Sequence, residues 1–146
     1  NNSEFNGKNI KDLWFDKSNT LYIGTHEGGL FKLNTKTLKI DIIPHLASSR
    51  ISINDLKPFQ NNLLLATSYG VKLYLLDSGE LIDFFDDWPS TIKIPSSCVS
   101  ILVSTDKKLW IGTKNDGVFV VDLDEKKLKH FHKYNSNIHS NDIFKI

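Results

Sequence analysis

Short apolar runs alternate with polar turns along the whole chain. The runs are rich in Ile, Leu, Val and aromatic residues, often at consecutive positions, and no segment has the period of an amphipathic helix. Consecutive apolar residues are typical of strands that are buried on both faces of a sheet. The pattern therefore predicts an all-β protein whose sheets are covered on both sides.

The same order of runs and turns occurs three times and begins a fourth time. The repeats start at Ile10, Ile53 and Val99, and Ile143 begins the next, so the intervals are 43, 46 and 44 residues. In each repeat the second apolar run ends in a small residue followed by threonine: Gly24-Thr25, Ala66-Thr67 and Gly112-Thr113. A period near 44 residues with four strands is typical of a β-propeller blade. A β-sandwich also has short strands, but it gives no reason for a repeated small-residue–threonine pair.

These repeats predict a partial β-propeller of three four-stranded antiparallel blades plus the first strand of a fourth. We expect the blades at residues 9–45, 46–86 and 87–133, between an N-terminal tail or preceding strand at 1–8 and the next blade's first strand at 134–146. Propellers close with about four to eight blades, so three blades leave apolar end faces open. We expect the remaining blades of a longer parent protein, or self-association, to cover those faces.

Two of the repeats resemble the two-component regulator propeller repeat. That repeat has an apolar strand, an Asp, a turn, then Leu-Trp-Ile-Gly-Thr and a strand that begins with Gly and an aromatic residue. The matching segments are Leu109 to Thr113 with Asp116 to Phe119, and Asp16, Leu21 to Thr25 and Gly29 to Phe31. The second repeat departs from the pattern, because Leu64 and Ala66 stand where the motif has Trp and Gly.

The resemblance implies the periplasmic sensor region of a Bacteroides-like hybrid two-component system histidine kinase. In such proteins the propeller precedes a membrane span and a kinase, and none of those parts lies in this chain. It implies a non-catalytic sensor or scaffold that responds to a glycan-derived ligand, with an oligosaccharide as the expected partner and a parent anchored in the inner membrane. Two alternatives stay open: a fragment of a propeller lyase or glycosidase whose catalytic residues lie outside this chain, and a protein-interaction propeller.

The charge distribution and the cysteine content argue against several functions and structural features of this segment. The chain has 18 basic and 17 acidic residues, interspersed, and Arg50 is the only arginine, so this segment is not expected to bind nucleic acid. Cys98 is the only cysteine, which excludes an internal disulfide, and it is expected to be a small buried hydrophobe. No apolar run approaches the roughly 18 residues of a membrane span, and the polar start without methionine suggests an excised or mature segment.

No motif in the sequence supports catalysis, and no cofactor is expected. The repeated threonines Thr25, Thr67 and Thr113 are interpreted as hydroxyls that satisfy turn backbone groups. His130 and His132 would share one face of a strand, but no third metal ligand accompanies them. Asp86 and Asp87 would point to opposite faces of a strand, unlike a glycosidase pair. The repeated aromatic positions are interpreted as packing between blades: Trp14, Tyr22, Trp110 and Phe119.

Two sets of loops share one face of a propeller, around its central channel. They are the turns His26-Glu27, Ser68-Tyr69 and Asn115-Asp116, and the connections His45 to Ser52, Asp86 to Ser97 and Lys133 to Asn141. Long loops on a rigid scaffold concentrate binding residues. The predicted ligand or partner surface is His26, Glu27, Arg50, Tyr69, Trp88, Asn115 and Asp116, with Arg50, Tyr69 and Trp88 as its main contacts. The alternative is that these loops only solvate one rim or dock a partner domain.

Overall fold

A computed structural model describes residues 8–43 and 50–146 of the chain. Blade 1 consists of β1 (Ile10–Phe15), β2 (Thr20–Thr25), β3 (Gly29–Asn34) and β4 (Lys39–Ile42). Blade 2 consists of β5 (Ile53–Phe59), β6 (Asn62–Thr67), β7 (Gly70–Leu75) and β8 (Leu81–Asp83). Blade 3 consists of β9 (Cys98–Val103), β10 (Lys108–Thr113), β11 (Val118–Asp122) and β12 (Lys127–Phe131). Consecutive strands are antiparallel neighbours in every blade, which confirms a partial β-propeller.

The turns within the blades are set by short polar side chains. The Asp16 carboxylate accepts hydrogen bonds from the backbone N–H of Ser18 and of Thr20, each at 2.8 Å, which closes the turn between β1 and β2. Asn19 supplies the left-handed backbone conformation in that turn, with a φ of 66°. Asp16 and Asn19 together therefore shape the first polar turn of blade 1.

The repeated threonines close the turn between the second and third strands of each blade. The hydroxyls of Thr25, Thr67 and Thr113 donate to the carbonyl oxygens of Gly29, Gly70 and Gly117 at 2.9, 2.8 and 2.8 Å. All three threonine residues are completely buried. The interpretation of these hydroxyls as structural groups is confirmed.

The structure moves the start of the third repeat by one residue. Cys98 lies opposite Thr113, as Ile53 lies opposite Thr67, so Cys98 and not Val99 is the counterpart of Ile53. The interval from 53 to 98 equals the interval from 98 to 143, at 45 residues each. The prediction of Val99 as the start was wrong because hydrophobicity alone favours valine over cysteine. The register is instead determined by strand pairing next to the repeated threonine turn.

Two apolar cores lie between the blades. The first joins Tyr22 and Leu30 of blade 1 to the β5 and β6 residues of blade 2, with Trp14 packed at its edge. The second joins Leu64 and Ala66 of blade 2 to blade 3, including Phe119. Both sheet faces of blade 2 are thus covered, which explains its consecutive buried leucines.

A repeated polar contact joins the first strand of each blade to the blade that follows. The third residue of the first strand accepts a hydrogen bond from the next blade's backbone, 3.0 Å long in all three cases. The bonds are Leu56 N to Asp12 Oδ2, Ile101 N to Asp55 Oδ2 and Ile146 N to Ser100 Oγ. The last of these shows that residue 146 occupies the same place as Leu56 and Ile101.

The last residues of the chain lie on blade 3 where a next blade would begin. The backbone N–H of Ile143 donates to the carbonyl of Thr113 at 2.9 Å, and Gly117 N donates to Asn141 O at 2.8 Å. Residues 142–146 are not assigned as a strand, and the described structure gives them no second strand to pair with. They keep the register predicted for the first strand of a fourth blade.

Candidate ligand-binding rim

The two predicted sets of loops meet at one edge of the sheets. In each blade the glycine after the second-strand turn donates its backbone N–H to the connection that leads to the next blade. The bonds are Gly29 N to Ile51 O at 3.1 Å, Gly70 N to Ser96 O at 2.6 Å and Gly117 N to Asn141 O at 2.8 Å. These bonds define the rim of the candidate site. The first connection includes His45, which lies outside the described residues.

His26 and Glu27 are held at the rim by one serine. The Ser52 hydroxyl lies 2.8 Å from His26 Nδ1 and accepts the backbone N–H of Glu27 at 3.0 Å. The backbone N–H of Ser52 in turn donates to the hydroxyl of Ser68 at 3.1 Å. The rim of blade 1 is therefore tied to the rim of blade 2 through the hydroxyl and the backbone of Ser52.

Asn115 and Asp116 lie in the corresponding turn of blade 3. The backbone N–H of Asp116 donates to the Thr113 hydroxyl at 3.1 Å, and its carbonyl contacts His130 Nε2. The His130 ring stacks on Phe119 at 4.0 Å between centroids, and His132 lies 4.9 Å from His130. Within residues 8–43 and 50–146 no cluster of three His, Cys, Asp or Glu side chains could hold a metal ion.

Arg50 does not join Tyr69 and Trp88. It is exposed, has a φ of 47° and directly precedes Ile51, whose carbonyl is bound by blade 1. Tyr69 and Trp88 instead line one open cleft of about 660 Å³ beside blade 2, and Arg50 is not among the residues that line it. The structure thus brings together two of the three main predicted contacts.

Trp88 belongs to an aromatic cluster between blades 2 and 3. Its ring centroid lies 5.8 Å from that of Phe84 and 5.2 Å from that of Phe85, and Phe84 also packs on Phe59. The Lys126 ammonium lies 5.4 Å from the Trp88 centroid. Trp88 therefore has a packing role as well as a surface in the cleft.

The cysteine and the adjacent carboxylates considered as reactive groups are not arranged for catalysis. Burial raises the pKa of the Cys98 thiol to about 12, so this side chain is not a nucleophile at neutral pH. Asp86 and Asp87 lie in the turn that follows β8, not on a strand as expected, and both are exposed. No buried side-chain nitrogen or oxygen among the described residues lacks a hydrogen-bond partner.

Asp55 is the most perturbed carboxylate, and sequence reasoning missed it. Asp55 is fully buried. Its carboxylate accepts hydrogen bonds from Ile101 N and the Ser100 hydroxyl and forms ion pairs with Lys57 and Lys145. Burial alone would raise the pKa of Asp55, but these bonds and the contact with Asp12 hold it well below its usual range. The signal was available, because Asp occupies the third position of the first strand in both early repeats.

No family model and no curated protein matches the sequence. Among solved structures, the extracellular domains of two hybrid two-component systems from B. thetaiotaomicron superpose with a TM-score of 0.71 each. Their sequence identities to this chain are 23% and 19%, over 93% and 91% of its length. A computationally designed protein, Ika4, matches with a TM-score of 0.62 at 15% identity and covers 95% of this chain and 79% of its own.

The chain spans 18% and 19% of the two sensor domains that it matches. Such similarity in shape at low identity establishes a common fold. None of the described segments forms a helix long and apolar enough to cross a bilayer. The chain has the architecture of three consecutive blades from a β-propeller.

Proposed function

We propose that this chain is a non-catalytic sensor or scaffold segment of a membrane-bound two-component sensor histidine kinase. The segment lies in the periplasm, the parent is anchored in the inner membrane, and the signal is a glycan-derived ligand. The main support is the superposition of nearly the whole chain on extracellular domains of hybrid two-component systems. The blade motif, which resembles the two-component regulator propeller repeat, supports the same assignment.

The arrangement of the described residues suits a rigid scaffold that presents loops. Three blades are joined by two continuous apolar cores and by the bonds of the first strands, while the loops converge at one rim. Binding residues in such folds lie on loops that a packed framework holds in place. The buried side-chain nitrogen and oxygen atoms of the described framework all have hydrogen-bond partners, as suits groups that hold the blades together.

The open face of blade 3 takes a further blade of the parent, or in isolation a second copy of the chain. Trp110 is only half-buried there, whereas Tyr22 and Leu64, at the same place in blades 1 and 2, are 7% and 0% exposed. A cavity of about 280 Å³ on this face is lined by Trp110, Val120 and Phe131 together with five charged side chains: Lys108, Asp122, Glu125, Lys127 and Lys129. A covering blade would bury Trp110 as blades 2 and 3 bury Tyr22 and Leu64.

The proposed role is tested in the full-length parent protein in its membrane. Phosphate incorporation from ATP is measured with and without a polysaccharide hydrolysate, for the natural protein and for Gly24→Val, which disturbs blade stacking. The expected result is a hydrolysate-dependent change in phosphorylation that Gly24→Val abolishes, with basal phosphorylation retained. A parent without ATP-dependent phosphorylation would contradict the sensor-kinase assignment.

A further inference from the structure

The cleft beside blade 2 is a built feature of the fold. The connection at residues 84–97 is fastened to one end of β7 at both of its own ends, by Phe84 N to Val71 O at 3.1 Å and Gly70 N to Ser96 O at 2.6 Å. The cleft of about 660 Å³ is lined by residues of this connection and by the turn that carries Tyr69. Its volume falls in the range of about 300–1,000 Å³ typical of small-molecule sites.

Aromatic rings line the cleft from two sides. Tyr69 stands on the rim and is 56% exposed, so its ring is open to a ligand. Phe85 and Trp88 line the connection side, and their rings pack edge to face at 5.2 Å with an interplanar angle of 78°. Because neighbouring rings hold Trp88, its surface in the cleft is fixed before any ligand arrives.

Polar groups of balanced charge surround these rings. The cleft is lined by the carboxylates of Asp83 and Asp86, the ammonium of Lys93 and the hydroxyls of Ser90 and Ser96. Asp83 is neutralised by an ion pair with Lys72. The remaining lining charges, one carboxylate and one ammonium, are opposite in sign.

This combination favours one class of ligand. The balanced charge of the lining favours neither an anion nor a cation, since charged ligands bind best where groups of the opposite sign are in excess. A neutral ring compound with many hydroxyls suits both features, since its C–H faces pack on aromatic rings while its hydroxyls donate to carboxylates and accept from Lys and Ser.

We propose that the cleft beside blade 2 binds a neutral oligosaccharide. Tyr69 and Trp88 contact the faces of sugar rings, and Asp83 and Asp86 accept hydrogen bonds from sugar hydroxyls. The inference rests on the proposed sensor function and deepens it, because it places ligand contact in a cleft at the rim of blade 2 that Arg50 does not line.

An array of immobilised neutral oligosaccharides, probed with the labelled 146-residue chain, tests the cleft. The variants are Tyr69→Ala and Asp86→Asn, both at exposed positions, and the matched control is Tyr134→Ala, an 80% exposed tyrosine on the connection after blade 3. We expect binding to a subset of the array, weakened by about tenfold or more in each cleft variant, as for truncation of a contact at the centre of a site. The control variant should bind like the natural chain.

A second readout follows the ring inside the cleft. The chain contains three tryptophans, so labelling with fluorotryptophan gives three fluorine NMR signals. The best array ligand should shift the Trp88 signal and leave that of Trp14, which packs between blades 1 and 2, unchanged. If Tyr69→Ala and Asp86→Asn leave array binding unchanged, the oligosaccharide does not bind in the cleft, although the sensor role is unaffected. A chain that binds nothing on the array would overturn the inference, while the phosphorylation experiment judges the sensor role separately.

Discussion

The interface between blades 1 and 2 and the interface between blades 2 and 3 contain equivalent hydrogen bonds but differ in side-chain packing. At the first, a Cβ on Gly24 would lie 2.9 Å from Ile53 Cγ2, so a residue with no side chain faces a large one. At the second, Ala66 replaces the glycine, and the counterpart of Ile53 is the smaller Cys98 in the same buried cluster. A larger side chain at the glycine position is therefore accompanied by a smaller side chain on the facing strand, which keeps the interface filled.

The polar contacts of the two interfaces differ more strongly. The carboxylate of Asp12 accepts a hydrogen bond from Leu56 N and pairs with Lys57, and the Asp12 side chain is 25% exposed. The side chain of Asp55 is 0% exposed, and its carboxylate has four partners. Water can replace lost partners at the first interface but not at the second. Substitution of Asp55, between blades 2 and 3, should therefore destabilise the chain far more than substitution of Asp12, between blades 1 and 2.

The largest expected effect is that of Asp55→Ala compared with Asp12→Ala. Removal of Asp55 leaves the buried N–H of Ile101 and the buried hydroxyl of Ser100 without their acceptor, which should lower the free energy of unfolding by about 2–4 kcal/mol. Asp12→Ala should cost about 1 kcal/mol, because that site is open to water. Urea unfolding measures both, and equal losses would show that burial does not distinguish the two contacts.

Substitutions of the interface glycines should give the next largest effects. A Cβ on Gly112 would meet Ile143 Cγ2 at 2.7 Å, and both γ-methyls of valine would extend that clash, so Gly112→Val should cost about 1–3 kcal/mol and Gly112→Ala less. Gly24→Ala should cost more than Gly112→Ala, since its Cβ also meets the backbone oxygen of Ile53 at 3.1 Å. Melting temperatures rank the variants.

A double variant tests the compensation directly. Ile53→Cys in the Gly24→Ala background reproduces the Ala66 and Cys98 pairing of the second interface. The double variant should be more stable than the sum of the two single losses predicts, because cysteine makes room for the new methyl. If the losses in free energy of unfolding of the two single variants simply add, the sizes of residues 24 and 53 do not compensate for each other.

Acid should weaken the second interface selectively. The pKa of Asp55 is held below its ordinary value of 3.8, so its stabilising contribution is complete above that value and is lost as the pH falls through the lower folded-state pKa. Asp55→Asn should therefore show a flatter fall in stability below about pH 4 than the natural chain. Parallel pH profiles would show that another carboxylate controls acid unfolding.

The smallest effect should come from an exposed ion pair. Lys107 and Asp124 lie 2.9 Å apart, but their side chains are 66% and 64% exposed. Lys107→Ala should change the free energy of unfolding by less than about 1 kcal/mol. A loss comparable to that of Asp55→Ala would mean that exposure does not decide the value of these contacts.

The blades could be predicted from the sequence because each apolar run and each threonine turn carries local information. The repeat at Cys98 was misplaced by one residue, since strand pairing and not hydrophobicity sets the register there. Trp88 was expected on the rim with Arg50, but its neighbours are Phe84 and Phe85, whose positions depend on how the 84–97 connection folds back. Asp55 was missed because its partners, Ser100 and Lys145, are about 45 and 90 positions away in sequence.

Static light scattering over a range of concentrations tests most directly whether blade 3 ends in an open docking face. Because the half-buried Trp110 lacks a covering blade, the average mass of the isolated chain should rise above its 16.6 kDa, and Trp110→Lys, which replaces that ring by a charge, should return it to the monomer. A natural chain that stays at 16.6 kDa at all concentrations and does not bind a hydrophobic dye would contradict the open blade stack.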